Sequence, residues 1–502
     1  MNNFNNHFEY EEDPEVQLPF PSEVKEEASK SPPPLSTSNQ KSAHALTSFI
    51  QTLGPKYVMA HHDKARWKII CEKLKPIADE KVSFRDVVQI ISFFINNKQF
   101  QSNYRKSKKE PIELILETSH LTEKDVYEKK VFPGLAKLIL KTEYLFPADK
   151  SIPVFTQDNP QKIILSKEQC ACLLAHMAFC ITCDQGNPKL QHLVDFSGIY
   201  ENTVGENVIL KVQKIKCLFT YFEIFIHENS QENERHVIFE RSVLQDVHPE
   251  KAWRDCDTQL THVTIKPKGG IEDSHDALQV VFSDKRLGDQ VLQQSATQQP
   301  IMNLIHPELM LTILLCEELK EEEAIRVYGA GRYSNYEGYD KEFKFLKASG
   351  ESDVRERHHV LIDAHEYTSD KKSSQFGEQW ILRDLLKAYC GFFGVEDGVV
   401  KVATGKWGAG VFKAQVQLKF IIQWIAASRA NKNIEFFIFD DEKNFPKEKV
   451  DKILEYYEGK KVGDLFSDLL KAAPKLQTQP QSKEEAQIQN KTLFDVLIEL
   501  FH

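Results

Sequence analysis

From Thr261 onward the chain alternates short apolar runs with longer amphipathic ones, and that alternation limits the architectures open to it. The apolar runs 261–266, 278–282, 324–329, 358–363, 398–403 and 434–439 read as strands. Between and after them, 307–322, 379–390, 416–430 and 446–457 carry a helical period. Such alternation predicts an α/β domain, a mixed sheet flanked by helices. In open sheets of this kind ligands sit in the loops beyond the carboxyl ends of the strands. Three such loops stand out. One follows Phe282 and runs to a helix expected to start near Pro307, where proline's missing N–H costs nothing. The second, Gly405–Phe412, is glycine-rich and precedes a helix near Gln415, so its backbone N–H groups would suit an anion. The third, Gly331–Tyr339, follows the strand expected at 324–329.

Before Thr261 the pattern differs. Residues 1–45 are acidic and then rich in proline and serine, and they read as a disordered tail. Residues 46–160 read as an all-helical accessory region, with Val87, Val88, Ile90, Ile91, Phe93 and Phe94 on a largely buried helix. Arg105–Lys109 reads as a solvated loop rather than an import patch. Ser166 and Gln169 form a capping box opening a further helix. Cys172, His176, Cys180 and Cys183 share a face there. At 1.5 Å per residue the outer two lie on the order of 16 Å apart, so packed thiols are expected rather than a metal site. The main domain is expected over 161–473, a linker over 474–490, and an amphipathic helix over 491–502 that either packs back or recruits a partner.

A net charge of −10 argues against a broad nucleic-acid-binding face and leaves room for an anion in one pocket. No apolar run reaches the roughly 18 residues of a membrane span. Nine scattered cysteines fit a reducing compartment, so a nuclear or cytoplasmic location is expected.

The segment 278–309 resembles the signature of the poly(ADP-ribose) glycohydrolases, in which a strand leads to Gly-Gly-Gly, then Gln-Glu-Glu, then Asn-Pro-Glu-Leu. Here Phe282, Arg286, Gly288, Gln298 and Pro307-Glu308-Leu309 keep the frame. The glycine triplet has become Gly288-Asp289-Gln290 and the catalytic triplet Gln298-Gln299-Pro300. Ala403–Phe412 (ATGKWGAGVF) resembles the family's diphosphate-contacting Ala-Thr-Gly-Asn-Trp-Gly-Cys-Gly-Ala-Phe, with Lys406 in place of asparagine. Tyr333–Tyr339 resembles Tyr-Ser-Glu-Tyr-Thr-Gly-Tyr, and Phe436–Asp440 a strand whose last aromatic meets adenosine. Val131–Ile139 and Lys216–Phe222 are similar to parts of the family's helical region. The likeness extends over about 130–470 and is strongest over 278–440.

The resemblance implies a macrodomain-like fold preceded by helices. It also implies an ADP-ribose site at Glu272, Gln298, Tyr339, Gly405, Lys406, Trp407, Gly408, Gly410, Phe412 and Phe439. No metal or cofactor is implied. Lys406 would pair with a diphosphate or fill the place of a distal ribose. Cleaving a glycosidic bond requires an acid to protonate the leaving oxygen. Gln299 has no titratable proton, and Pro300 has neither side-chain chemistry nor an N–H, so no useful hydrolysis is expected. Three readings remain open: a non-hydrolysing reader of ADP-ribose or its polymer; a scaffold whose tail and terminal helix recruit proteins; and a glycohydrolase with a displaced acid, Asp284 or Asp289.

Overall fold

The computed structural model describes residue 57 and residues 59–501, apart from 98–99, 101–120, 148–151, 183–188, 191–193, 201–205, 228–234, 245–249, 289, 294, 351–355, 368–373, 396–397 and 478–490. The expected tail, Arg105–Lys109, Cys183, Asp289 and most of the expected linker lie outside the described residues. Helices α1 (Lys64–Ala78), α2 (Phe84–Asn96) and α3 (Phe132–Leu140) precede strand β1 (Gln161–Ser166) and helix α4 (Lys167–Ala178). The capping box of α4 is formed by Ser166 and Gln169, and of the expected packed thiols Cys172 and Cys180 are buried. Helix α5 (Glu206–His227) and strands β2 (His236–Val243), β3 (Val263–Lys266) and β4 (Leu278–Ser283) follow.

Next come α6 (Gln298–Ile305), β5 (Glu323–Gly331), the hairpin β6 (Ser334–Glu337) and β7 (Lys344–Ala348), and β8 (Glu356–Asp363). Helix α7 (Glu378–Phe392), β9 (Lys401–Gly405), α8 (Val416–Arg429) and β10 (Asn433–Phe437) complete the sheet region. Helices α9 (Lys447–Tyr457), α10 (Val462–Gln477) and α11 (Leu493–Glu499) end the chain. Among the described residues no helix is long and apolar enough to cross a membrane.

Among the described residues, all strands but the hairpin join one eight-stranded sheet in the order β1-β2-β5-β8-β4-β9-β10-β3. The β1/β2, β2/β5 and β5/β8 seams are antiparallel, and the four seams from β8 to β3 are parallel. Side chains alternate across a pleated strand, so the sheet separates two cores. Val281, Ile325, Val327 and Leu361 face α1–α6, whereas Val280, Ala324, Tyr328, Val360 and Ile362 face α7–α11. All of this packing belongs to one unit, Gly54–His502.

The structure revises several sequence boundaries. Residues 307–322 are not a helix: α6 starts nine residues earlier, at Gln298, and stops before Pro307. A 3-10 turn, Pro307–Leu311, and one helical turn, Thr312–Leu315, follow it. Proline cannot donate back into the preceding turn, so the chain restarts there. Strand β9 starts at Lys401 rather than 398, and the last expected strand ends at Phe437, because Phe439 and Asp440 adopt left-handed φ values of 52° and 54°. Helix α10 runs through Pro474 to Gln477, so the linker begins later than position 474. The terminal helix packs back: Leu493, Phe494, Val496 and Leu497 are fully buried, with Phe494 against Phe420 and Phe445. Its apolar face is therefore not available as a partner-recruiting surface.

Candidate functional site

Strand β4 pairs with β8 along its whole length but with β9 only at Leu278↔Val402 and Gln279↔Ala403. Past that point the sheet opens, and the freed backbone of β4 needs other partners. Gln298 supplies them. Its Oε1 accepts from Phe282 N at 2.8 Å and its Nε2 donates to Val280 O at 3.0 Å. One side-chain amide thus stands in for a strand, holds the start of α6 against β4, and leaves room between β4 and β9. On the opposite lip Gln423 Nε2 donates to Gly405 O at 3.1 Å, closing the freed end of β9.

The gap is a cleft of about 540 Å³. Its walls are Phe282 and Asp284 from the end of β4, Gln290, Ser295 and Thr297 from the loop, and Gln298 and Gln299 from α6. Tyr339, Lys406, Gly408, Gly410, Val411, Phe412 and Phe439 complete it. Of the ten ligand residues inferred from the sequence, seven therefore meet here: Gln298, Tyr339, Lys406, Gly408, Gly410, Phe412 and Phe439.

The other three stand behind the wall. Trp407 is 0% exposed; its Nε1 donates to Ile362 O at 3.3 Å and its ring lies 4.1 Å from Lys419 Nζ, so it is a core residue. Gly405 ends β9, where a Cβ would stand 2.8 Å from Phe437 O and 3.2 Å from the Phe439 ring. Its role is to let that ring approach the strand. Glu272 is buried and accepts from Tyr336 OH at 2.5 Å, and burial raises its carboxyl above the usual range against the opposing Tyr336 bond. The Tyr336 ring lies 6.3 Å from that of Tyr339, which lies 6.4 Å from that of Phe439, so Glu272 backs an aromatic wall.

Two lips of this cleft suit an anion. In the 406–414 loop, Trp407, Ala409, Lys413 and Ala414 bond internally, whereas the N–H groups of Gly408, Gly410, Val411 and Phe412 meet no acceptor among the described residues. Gly408 has φ 72° and would place a Cβ 2.6 Å from Ala364 Cβ, so this turn requires glycine. Lys406 Nζ lies 3.4 Å from Asp441 Oδ2 and 5.6 Å from the centre of the Phe439 ring. Burial opposes ionisation of Asp441, but hydrogen bonds from Asn444 and the Lys406 charge hold its carboxyl below the usual range. Phe439 is half-buried at φ 52°, a backbone region costly for an aromatic residue.

The chemical end of the cleft lacks an acid at the expected positions. Gln299 is 3% exposed, lines the cleft, and its Nε2 has no hydrogen-bond partner among the described residues. Pro300 is buried in the first turn of α6 and does not line the cleft. It also deletes one of the N–H donors that a helix start offers. Asp284 is the one carboxylate among the described lining residues.

Sequence reasoning missed Ser295 and Thr297 as cleft residues. The signal was present: Thr297 precedes α6 in extended conformation, as helix-capping residues do. It also missed Lys214. From α5 this buried side chain donates to Val291 O at 2.9 Å and Gln293 O at 2.7 Å, pinning the cleft loop. Burial, helped by Lys211, lowers its ammonium to about 7. The unfolded chain then binds the extra proton between pH ~7 and ~10.4, so this group's contribution to stability rises with pH across that window. We expect a slope of at most about 1.4 kcal/mol per pH unit. Urea midpoints from pH 7 to 10 should show it in the wild type and lose it in Lys214→Met.

Comparison with known proteins bears on the fold and the family. Residues 250–445 match the family profile described as poly(ADP-ribose) glycohydrolase, macro domain fold, and residues 120–241 match that family's helical domain. Poly(ADP-ribose) glycohydrolase 1 of Caenorhabditis elegans is 31% identical over 323 residues, 60% of this chain and 39% of the relative. Probable poly(ADP-ribose) glycohydrolase 2 of Arabidopsis thaliana is 26% identical over 368 residues, covering 60% and 70% respectively. Poly(ADP-ribose) glycohydrolase 2 of C. elegans is 29% identical, with 57% of its length matched. With both family profiles matched in order on a macrodomain fold and its helical domain, the chain belongs to the poly(ADP-ribose) glycohydrolase family.

Proposed function

We propose that this protein binds ADP-ribose or the end of its polymer in the cleft and does not hydrolyse it. The observation that carries the reading is the contrast within one cleft. The aromatic and anion-facing walls, Tyr339, Phe439, Lys406 and the 406–414 loop, remain open, whereas Gln299 and Pro300 stand where the sequence resemblance expects the catalytic pair. A vestigial pocket has no need to hold Phe439 in a strained backbone or to leave four loop N–H groups unmet.

Calorimetric titration with ADP-ribose tests this. Phe439→Ala should weaken binding by roughly 10- to 100-fold, the loss of about 1–3 kcal/mol of base stacking. Its unfolding midpoint should barely move, because the ring is only half-buried. An absence of heat at millimolar ligand would leave the scaffold reading instead. The presence of Asp284 in the cleft favours one alternative, hydrolysis by a displaced acid. Release of ADP-ribose from polymer by the wild type, abolished in Asp284→Asn, would establish that alternative and end the present one. Asp289 lies outside the described residues and is tested in the same assay.

A further inference from the structure

We propose that the helices around α5, together with strand β7, carry a second site, a lysine-lined groove that binds the diphosphate backbone of an ADP-ribose polymer away from the cleft. The polymer's identity rests on the reading above; the groove itself does not. Two hollows of about 340 and 480 Å³ adjoin along the last turns of α5, sharing Glu223 and His227 in their walls. The first is lined by Lys129, Lys130, Lys137 and Lys141, and the second by Lys216 and Lys347. Six lysines face two glutamates, Glu80 and Glu223, in a chain whose acidic residues outnumber its basic ones, 74 to 64.

Several of these ammonium groups are available to a phosphate. Lys130 and Lys347 are exposed and have no acid partner among the described residues. Lys129, Lys137 and Lys141 pair with Asp125, Glu80 and Glu168 at 2.9, 3.2 and 2.7 Å. The Lys129 and Lys137 pairs are exposed on both sides and contribute little, so a multivalent anion can displace them. The groove's form suits an extended chain better than a single anion. Its floor includes the apolar Ile226 and Phe345, and lysines line both hollows rather than one.

The β6–β7 hairpin joins groove to cleft. The turn between its strands presents Tyr339 to the cleft, while β7 presents Phe345 and Lys347 to the groove. The hydrogen bond from Phe345 N to Gln213 Oε1, 3.0 Å, fixes the hairpin on α5. A chain whose end lies in the cleft would therefore pass the hairpin to reach the lysines.

The test uses the full chain, a labelled ADP-ribose polymer of defined length, and fluorescence polarisation over a range of salt. Lys130→Glu with Lys347→Glu should weaken polymer binding at least tenfold. It should lower the slope of log K against log[salt] by about one to two, because fewer counterions are released. Monomeric ADP-ribose, which reaches only the cleft, should bind the double variant as it binds the wild type. Unchanged polymer affinity and slope would overturn the proposal. So would a single-stranded RNA of equal length binding as tightly and being lost in the same variant, which would assign the groove to nucleic acid. Phe439→Ala separates the two sites. If monomer fails to bind even the wild type while polymer still binds through the lysines, the cleft reading falls and the groove stands.

Discussion

Lys167→Met is expected to lower the free energy of unfolding by about 3–5 kcal/mol, the usual result of stranding one partner of a buried ion pair. Lys167 Nζ lies 2.8 Å from Glu308 Oε1, with the two side chains 2% and 0% exposed. Tyr333 OH donates to the same carboxylate oxygen at 2.7 Å, and Lys167 donates to Tyr333 OH at 3.3 Å. With the lysine removed, Glu308 keeps one donor for a full charge that water cannot reach. Lys167→Met with Glu308→Leu removes both charges and should recover much of the loss, because the desolvation cost vanishes with the pair. Urea unfolding followed by tryptophan fluorescence reads both. A single variant within about 1 kcal/mol of wild type would mean that water reaches the site and the pair is not insulated. The triad joins the first residue of α4 to the turn after α6 and to the residue before β6. It therefore couples the accessory helices to the segment behind the cleft.

Trp407→Ala should cost a similar amount, about 3–5 kcal/mol, as large-to-small changes at fully buried aromatic positions do. The ring is enclosed and roofs the buried Lys419, which is paired with Asp384. The same readout separates two roles. If Trp407 were a ligand contact, the variant would lose ADP-ribose affinity at an unchanged unfolding midpoint. As a core residue it should lose the midpoint first. Phe439→Ala should show the opposite pattern, which makes the pair a compact test of which aromatic residues serve the fold and which serve the cleft.

Much of the sheet could be read from the sequence because the signals are local. The runs at 278–282, 324–329 and 358–363 are buried strands, and the capping box at Ser166 holds. Strand β2 is not among the expected strands although it alternates buried and half-buried positions from Val237 to Arg241, a period of two that marks a half-buried strand. Its partner β1 is short and opens a helix, which hides it. The start of α6 was placed too late because 290–300 is polar enough to read as loop throughout. What makes a helix begin there is Gln298 bonding to β4, a contact sixteen residues back.

The sequence by itself determined most of the parallel half of the sheet, the helices after it, and the resemblance to the family frame, with Gln299 and Pro300 where that resemblance expects glutamates. These depend on residue identity and on neighbours within a turn or two of the chain. Only the tertiary structure decided that β4 and β9 part after Gln279, that Gln298 braces the opening, and that Trp407 faces inward while Phe439 faces the cleft. It also decided that Lys214 reaches across 77 residues to hold the cleft loop. The physical reason is that a side chain's role in a cleft follows from which distant backbone it meets and how much water it loses. Neither quantity is carried by any local period.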